Sequence, residues 1–446
     1  MVTLDQLRSL VDTVVIVMLE NRSFDHMLGF LSHEAFDGRA DVDGLHQHND
    51  NFDWDNPDPA GNLFAPTATP DGYLPCDVPH SRAEIAAQLS SGAMDGFIKA
   101  YFSSQHIDQS PVPMRFCRPE DVPITAALAR GYSVCDRWFA SVPADTQPNR
   151  LMSLCGTTFI DSTSNIKPPS HLLPNQNTLF DWLANKGKKF EMYVDAKPIA
   201  DVGVPSNLLL MASQWKHILA HGRPLDLLAA NWGSASPAPD VVYCEPFFND
   251  FATVLGTHGN CNHPPLPAGY GEDFLRRVYQ ALTSNPAKWA RTVLLVCYDE
   301  HGGFFDHVAP PPMAYSPPPG NSWVDPKPMT TLGVRIPGIV VSPLVEAGSR
   351  YHGLLDHTSI LQLIVDRFGT PADLAFFGEA AVRKNNGVNS LASVLTRTTP
   401  RSDVLSGLVS PKVSTGSATT PPISSTGMMF RGVMADKPAK QAAGKP

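Results

Sequence analysis

The sequence has no long hydrophobic run: no apolar stretch among its 446 residues approaches the roughly 20 that a membrane-spanning helix requires. It also lacks basic clusters, and 34 Lys and Arg against 43 Asp and Glu leave a net charge of −9. Nucleic acid is thereby disfavoured as the main partner, because binding to a phosphate backbone is driven by Lys/Arg clusters. An anionic substrate needs a local positive site, which a metal ion can supply. Cysteine-pairing motifs are missing too. The seven cysteines (76, 117, 135, 155, 244, 261 and 297) are widely spaced, odd in number and never in a CxxC pair. That argues against both a disulfide framework and a cysteine-ligated zinc site; Cys297, inside an apolar run, reads as a small core residue. The amino terminus, MVTLDQLRSLVDT, has neither the basic start nor the cleavage site of a secretory signal. As written, the chain is expected in the cytoplasm, and a removed signal would make it periplasmic or secreted. Charged residues are scarce at 17% beside 43% apolar residues, the composition of a globular protein.

What is present is a series of short apolar runs of strand character: Val14–Leu19, Val241–Cys244, Val293–Cys297 and Ile339–Val341. Helical patterns lie between several of them, which predicts a mainly parallel sheet covered by helices on both faces. Asn177-Thr178 opens a helix that Gly187 stops; Phe274, Leu275, Val278, Tyr279 and Leu282 form one helical stripe; Thr358 starts a helix closed by Gly369. The stretches 37–79 and 310–328, rich in Pro, Gly, Asp and Asn, read as long surface insertions that rim a pocket. From about Thr399 the composition shifts to Ser, Thr, Pro, Gly and Lys. The chain therefore divides into a catalytic domain, 1–385, and a low-complexity tail, 386–446, in which Met428-Met429-Phe430 is a candidate docking segment. No internal repeat is present.

Three constellations carry chemistry. Glu20-Asn21 follows the first apolar run and Asp299-Glu300-His301 follows TVLLVCY, so each pair leaves the carboxyl end of a predicted strand, where ligands of parallel sheets gather. Converging carboxylate and amide oxygens suit a divalent cation; the plain alternative is that each pair caps the next helix or turn. In PADTQPNRLM, Pro148 suits the first turn of a helix over 149–154. Thr146 then lies just before its N-terminus, beside free N–H groups that suit phosphate. A threonine hydroxyl activated by a metal is a nucleophile; a simple Thr N-cap is the alternative. Finally, His80, His263, His301, His307 and His357 all fall at predicted loops, where they can hold phosphate oxygens or protonate a leaving alkoxide, or else be ordinary turn residues.

Together, ENRSFDHMLG, CDVPHSRAEIAAQLSSGAMDGF, ADTQPNRLM, EPFFND, NHPPLPAGYGEDFLRRVYQAL, YDEHGGFFDHVAPP, GVRIPGIVVSP and LDHTSIL make a chain that resembles the bacterial phospholipase C and acid phosphatase phosphoesterase family. That family includes the plant non-specific phospholipases C. The resemblance implies an alkaline-phosphatase-like α/β three-layer sandwich with its metal at the carboxyl edge of the sheet. It implies Glu20, Asn21, Asp299 and Glu300 as metal ligands, with Thr146 as a further ligand and the nucleophile. It implies His80 and His263 as holders of phosphoryl oxygens or aids to the leaving group, with His301, His307 and His357 in matching motifs; His357 alternatively steadies the loop before its helix. Arg22 is expected to brace the carboxylates, and Asp25 and His26 to lie behind the ligands or cap the turn. The expected cofactor is a divalent cation (Zn, Ca, Mg or Mn).

The expected function is phospholipase C activity on glycerophospholipids such as phosphatidylcholine, through a phosphothreonine intermediate and with transient membrane-surface contact. A broad acid phosphatase with the same core is the alternative, and a silent binding protein for a phosphorylated ligand is the reading from another class. Phe304-Phe305 and Trp323 form an apolar lip for lipid, or else the phenylalanines are buried. The larger secreted phospholipases C of the family often carry an export signal and further C-terminal domains, which puts docking through a separate domain in doubt. Oligomeric state is not legible.

Overall fold

In the computed structural model, residues 1–48, 51–52, 54–69, 74–104, 111–166, 172–195, 211–248, 258–319, 325–411 and 413 are described. The β-branched run TVVIVML forms β1 (Thr13–Leu19), buried at every position, the pattern of an interior strand covered on both faces. Around it assemble β2 (Ser133–Cys135), β3 (Phe190–Val194), β4 (Gly222–Pro224), β5 (Val241–Glu245), β6 (Thr292–Tyr298), β7 (Gly338–Val341) and β8 (Arg350–Tyr351). The eight strands lie in the order β4-β3-β5-β1-β6-β7-β2-β8. Pairing is parallel from β4 through β6, antiparallel on both sides of β7, and parallel again between β2 and β8. All four strand expectations are met to within a residue, and β7 runs against the rest.

Two groups of helices cover the sheet. Helices α1 (Leu4–Leu10) and α5 (Thr146–Cys155) pack against α8 (Thr358–Phe368), whereas α4 (Pro123–Gly131) packs against α7 (Gly269–Thr283). The expected apolar stripe of α7 is buried at each of its five positions. Thr178 closes a capping box on α6 (Leu179–Asn185), and Gly187 follows it at φ +64. Helix α5 begins three residues earlier than its expected start at Asn149. Thr146 is therefore its first helical residue and Asp145 its N-cap, which corrects both the helix boundary and the Thr N-cap alternative.

The long insertions add small pieces of sheet, including the hairpin of Pro312–Tyr315 with Met329–Thr331. Part of the 37–79 stretch is latched to the body by charge. Arg335, fully buried, binds the carboxylates of Asp25 (3.0 Å) and Asp306 (2.8 Å) and the backbone carbonyls of Asp43 and Asp136. His307 donates to Asp25 (2.7 Å) and reaches Asp43 (3.0 Å), with Trp54 stacked on its ring. Of the expected tail, residues 386–411 and 413 are described. Val388, Leu391, Val394 and Leu395 are buried, and the Leu405 N–H donates to the Tyr279 hydroxyl. Met428-Met429-Phe430 and Trp323 lie outside the described residues. All seven cysteines are free, and Cys297 is a core residue.

Candidate active site

The site follows from strand register. β1 and β6 pair in parallel with Leu19 opposite Tyr298, so the residues that leave the two strands, Glu20-Asn21 and Asp299-Glu300, emerge side by side. Asn21 adopts the left-handed region (φ 59), a sparsely populated conformation for a non-glycine residue that often marks functional turns. Its N–H donates to Asp299 Oδ1 (3.0 Å), which also accepts from Glu300 N–H (2.8 Å), so one carboxylate pins both turns. The close approach requires Gly302 (φ +65), where a Cβ would sit 2.2 Å from the Asn21 carbonyl oxygen.

The capping alternative holds only in part. Ser23, not Glu20 or Asn21, caps α2 (Phe24–Leu28) by accepting from His26 N–H. Glu300 Oε2 does accept from Gly302 N–H (2.7 Å), but its Oε1 is fully buried with no hydrogen-bond partner among the described residues. A buried carboxylate oxygen without a donor is costly. That orphaned atom, with the neighbouring Glu20 carboxylate, the Asn21 and Thr146 oxygens and Asp299, fits a hard divalent cation. Thr146 Oγ1 lies 3.4 Å from Asn21 Oδ1, so the first residue of α5 meets the strand ends. The helix offers fewer N–H groups to a phosphate than its position suggests: Gln147 N–H donates to Thr163 Oγ1 and Pro148 has none.

His80 stands over the cluster, with Nε2 3.0 Å from the Asn21 amide nitrogen and 4.0 Å from Glu300 Oε1. Its Nδ1–H donates to the Val78 carbonyl (2.6 Å). Burial disfavours an imidazolium here, but Glu300, Asp77 and the Val78 carbonyl outweigh it and raise the pKa to about 10. A proton on Nε2 and the hydrogen bond from the Asn21 amide are alternatives at that nitrogen. His263 lies beside His80, rings 5.9 Å apart, with Nδ1 on the Pro264 carbonyl; Asp77, His80 and His263 bring one ligand-type atom each to within 4.8 Å of one another.

His301 and His357 sit behind the carboxylates. His301 is buried between Gln88 (2.9 Å) and Glu300 Oε2 (3.2 Å), and His357 Nε2 bonds the Asp299 carbonyl (2.7 Å) while burial depresses its pKa to about 4. His307 belongs to the Asp25, Asp43 and Arg335 network described above. Arg22 does not brace the carboxylates. Its guanidinium bonds the Asn262 carbonyl (2.9 Å) and His26 (2.9 Å). Asp25 and His26 do not cap the turn either: Asp25 pairs with His307 and Arg335, and His26 bonds Arg22 and the Arg115 carbonyl.

Two residues of the site escaped the sequence reading. Arg150, one turn after Thr146, donates from Nε to Asp299 Oδ2 (3.1 Å) and from Nη2 to the Leu19 carbonyl (3.2 Å), and lies 3.5 Å from Glu20. Asp145 accepts from Thr163 N–H (2.7 Å) and Ser162 Oγ (3.0 Å), and burial pushes its carboxyl up to about 6. The signal for Arg150 was its i, i+4 spacing from Thr146.

The profile of the "Phosphoesterase family" matches residues 11–371. Non-specific phospholipase C6 of Arabidopsis thaliana is 32% identical over 77% of this chain and 64% of its own length. Phospholipase C B of Mycobacterium tuberculosis is 30% identical over 81% of this chain and 74% of its own. The chain thus spans less than two thirds of the plant relative. Among solved structures, a phosphonate monoester hydrolase of Agrobacterium radiobacter aligns over 81% of this chain and 77% of its own, with TM-score 0.36 and 12% identity.

Proposed function

This chain belongs to the phosphoesterase family, and on that premise we propose that it is a phospholipase C, hydrolysing glycerophospholipids such as phosphatidylcholine to diacylglycerol and a phosphorylated head group. The observation that carries the reading is the meeting of Thr146 Oγ1 with the oxygen cluster at the ends of β1 and β6. Against the silent-binding reading, the sequence retains Thr146 and the acidic residues Glu20, Asp299 and Glu300.

Glu20, Asn21, Asp299, Glu300 and Thr146 are the residues that would hold a divalent cation. Bound there, it supplies positive charge to a phosphoryl oxygen and lowers the pKa of the threonine hydroxyl. Thr146 Oγ, its proton released to solvent water, forms a bond to phosphorus as the bond to the diacylglycerol oxygen breaks, in line. His80, beside Asn21 and Glu300 with His263 next to it, is suited to hold a phosphoryl oxygen or to give a proton to the leaving alkoxide. Water then hydrolyses the phosphothreonine. His301 and His357 act through Glu300 and Asp299, fixing their orientation.

A broad phosphomonoesterase remains the second reading on one observation. Phe304 and Phe305 are buried, at 0% and 4% exposure, and do not form an apolar lip for lipid. The deciding experiment measures phosphorylcholine release from short-chain phosphatidylcholine beside p-nitrophenyl phosphate hydrolysis, for wild type and Thr146→Ala. Lipid turnover abolished by Thr146→Ala is the expected result. Monoester turnover alone moves the protein to the phosphatase reading, and near-normal lipid turnover by Thr146→Ala removes the threonine route.

A further inference from the structure

Arg150 stands apart from the other charged groups of the site. It is 1% exposed, and among the described residues the hydrogen bonds of its guanidinium go to Asp299 and the Leu19 carbonyl at the strand ends. Because α5 starts at Thr146, Arg150 falls one turn along the same helix face, so a single helix delivers the hydroxyl and the guanidinium to one place. Its contacts divide the cluster. Arg150 faces Glu20 (3.5 Å) and Asp299 (3.1 Å), whereas Glu300 is faced by His80 (4.0 Å) and His301 (3.2 Å). The remaining nitrogen, Nη1, is buried without a hydrogen-bond partner among the described residues, and the guanidinium lies 4.5 Å over the Phe248 ring. A polar atom left unsatisfied in this way is hard to explain if Arg150 serves only to tie two elements together.

We propose that Arg150 is the resident counter-cation of this cluster, a positioning residue that holds Glu20 and Asp299 in place when no metal is bound and competes with the metal for them. The inference rests on the reading of Glu20, Asn21, Asp299 and Glu300 as a divalent-cation site. Glu20 and Asp299 are both buried against this one guanidinium, and a buried carboxylate without a counter-charge is costly. Arg150 offsets that cost and ties the turn after β1 to the turn after β6 through Leu19 and Asp299. A divalent cation arriving at the same oxygens meets a like charge. The cation is therefore held less tightly than its oxygen ligands alone would hold it. Linkage makes the consequence measurable: a group that repels the cation and stabilises the empty site must, on removal, destabilise the metal-free protein more than the loaded one.

The test is thermal unfolding and calorimetric cation binding on full-length wild type, Arg150→Met and Arg150→Lys. Each is stripped with chelator and then titrated with Ca²⁺, Mg²⁺, Mn²⁺ and Zn²⁺ in turn. Stripped Arg150→Met is expected to melt lower by about 5 °C or more, as breaking one side of a buried ion cluster should do. Its cation-induced rise in Tm is expected to exceed that of wild type, with affinity at least about tenfold tighter. Arg150→Lys keeps the charge without the fork, and its affinity is expected within about threefold of wild type. Equal losses of Tm in the stripped and loaded Met variant, or weaker cation binding, overturn the proposal, because a merely structural ion pair gives the first and a purely supportive one the second. So does a Lys variant that binds as the Met variant does. Should Arg150→Met fold only with cation present, the proposal stands; should it fail to fold even then, it falls. Wild type that responds to none of the four cations overturns the metal-site reading itself, an outcome distinct from the others.

Discussion

Replacing Gly302 by alanine should damage the site out of proportion to its effect on the fold, and the damage can be estimated by comparison with Gly187. Both glycines have nearly the same left-handed backbone, φ +65 and φ +64. A Cβ at Gly187 meets nothing within 4 Å, whereas a Cβ at Gly302 lies 2.2 Å from the Asn21 carbonyl oxygen and 2.8 Å from its Cα. Gly187→Ala therefore carries only the backbone term, about 1–2 kcal/mol. Gly302→Ala carries the same term plus an overlap that ordinary carbon–oxygen contact distances resolve only if Asn21 retreats by roughly 1 Å. Asn21 is itself held by Asp299 and faces Thr146 and His80, so the retreat displaces the candidate site directly. A misplacement of that size costs on the order of 100-fold in rate. The assay is kcat/KM on a phosphate ester beside Tm for both variants. Gly302→Ala is expected to melt lower than Gly187→Ala and to lose about 100-fold in activity, whereas Gly187→Ala keeps wild-type activity. Full activity in a Gly302→Ala protein that melts with Gly187→Ala would refute the claim that Asn21 must stand where it does.

Other consequences are as direct. Glu300→Gln preserves the shape of the side chain but removes the charge on an orphaned buried oxygen, and calorimetry should show cation affinity at least about 100-fold weaker; unchanged affinity would take Glu300 out of the ligand set. His307 is disfavoured as an ion by burial but raised to about 9 by Asp25 and Asp43. Its folded pKa exceeds the unfolded value of about 6.5, so its contribution is fully present below that pH and is lost as pH rises through about 9. The loss is about 3 kcal/mol. Stability of wild type should therefore fall over that window more than that of His307→Gln, and parallel curves for the two proteins would refute the charged latch.

Much of this was legible in the sequence because it is local. β-branched runs identify the strands and what leaves them: the Glu20-Asn21 and Asp299-Glu300 turns emerge side by side, with Thr146 Oγ1 3.4 Å from Asn21 Oδ1. What was not legible depends on burial and on helix phase. His301 and His357 lie beside Gly and Asp, as exposed loop histidines do, and nothing in those neighbours shows that each ring is enclosed and bonded behind a carboxylate. Arg150 was hidden for another reason. Taking Pro148 as a first-turn residue of a helix that starts at Asn149 puts Thr146 outside it, and the i, i+4 relation between Thr146 and Arg150 disappears. With the bracing role left open, it fell to Arg22, the nearest arginine in sequence, whose side chain goes instead to the Asn262 carbonyl and His26.

The abrupt change at Leu19, from a wholly apolar strand to Glu20-Asn21, is explained by pairing rather than by either segment alone. Seven consecutive residues of β1 pair in register with β6, and both strands are buried at every position. A slip of one residue would exchange the faces of the whole strand and separate the two ligand turns by a residue's rise, about 3.3 Å. The apolar runs therefore act at a distance: their match to the two helical layers fixes the register, and the register brings Asn21 N–H to Asp299 Oδ1. Once that contact is made, Asp299 pins the Asn21 and Glu300 backbones with one oxygen while its other oxygen, like Glu20, lies against Arg150. The buried Glu20 and Asp299 then require positive charge, and Arg150 supplies it.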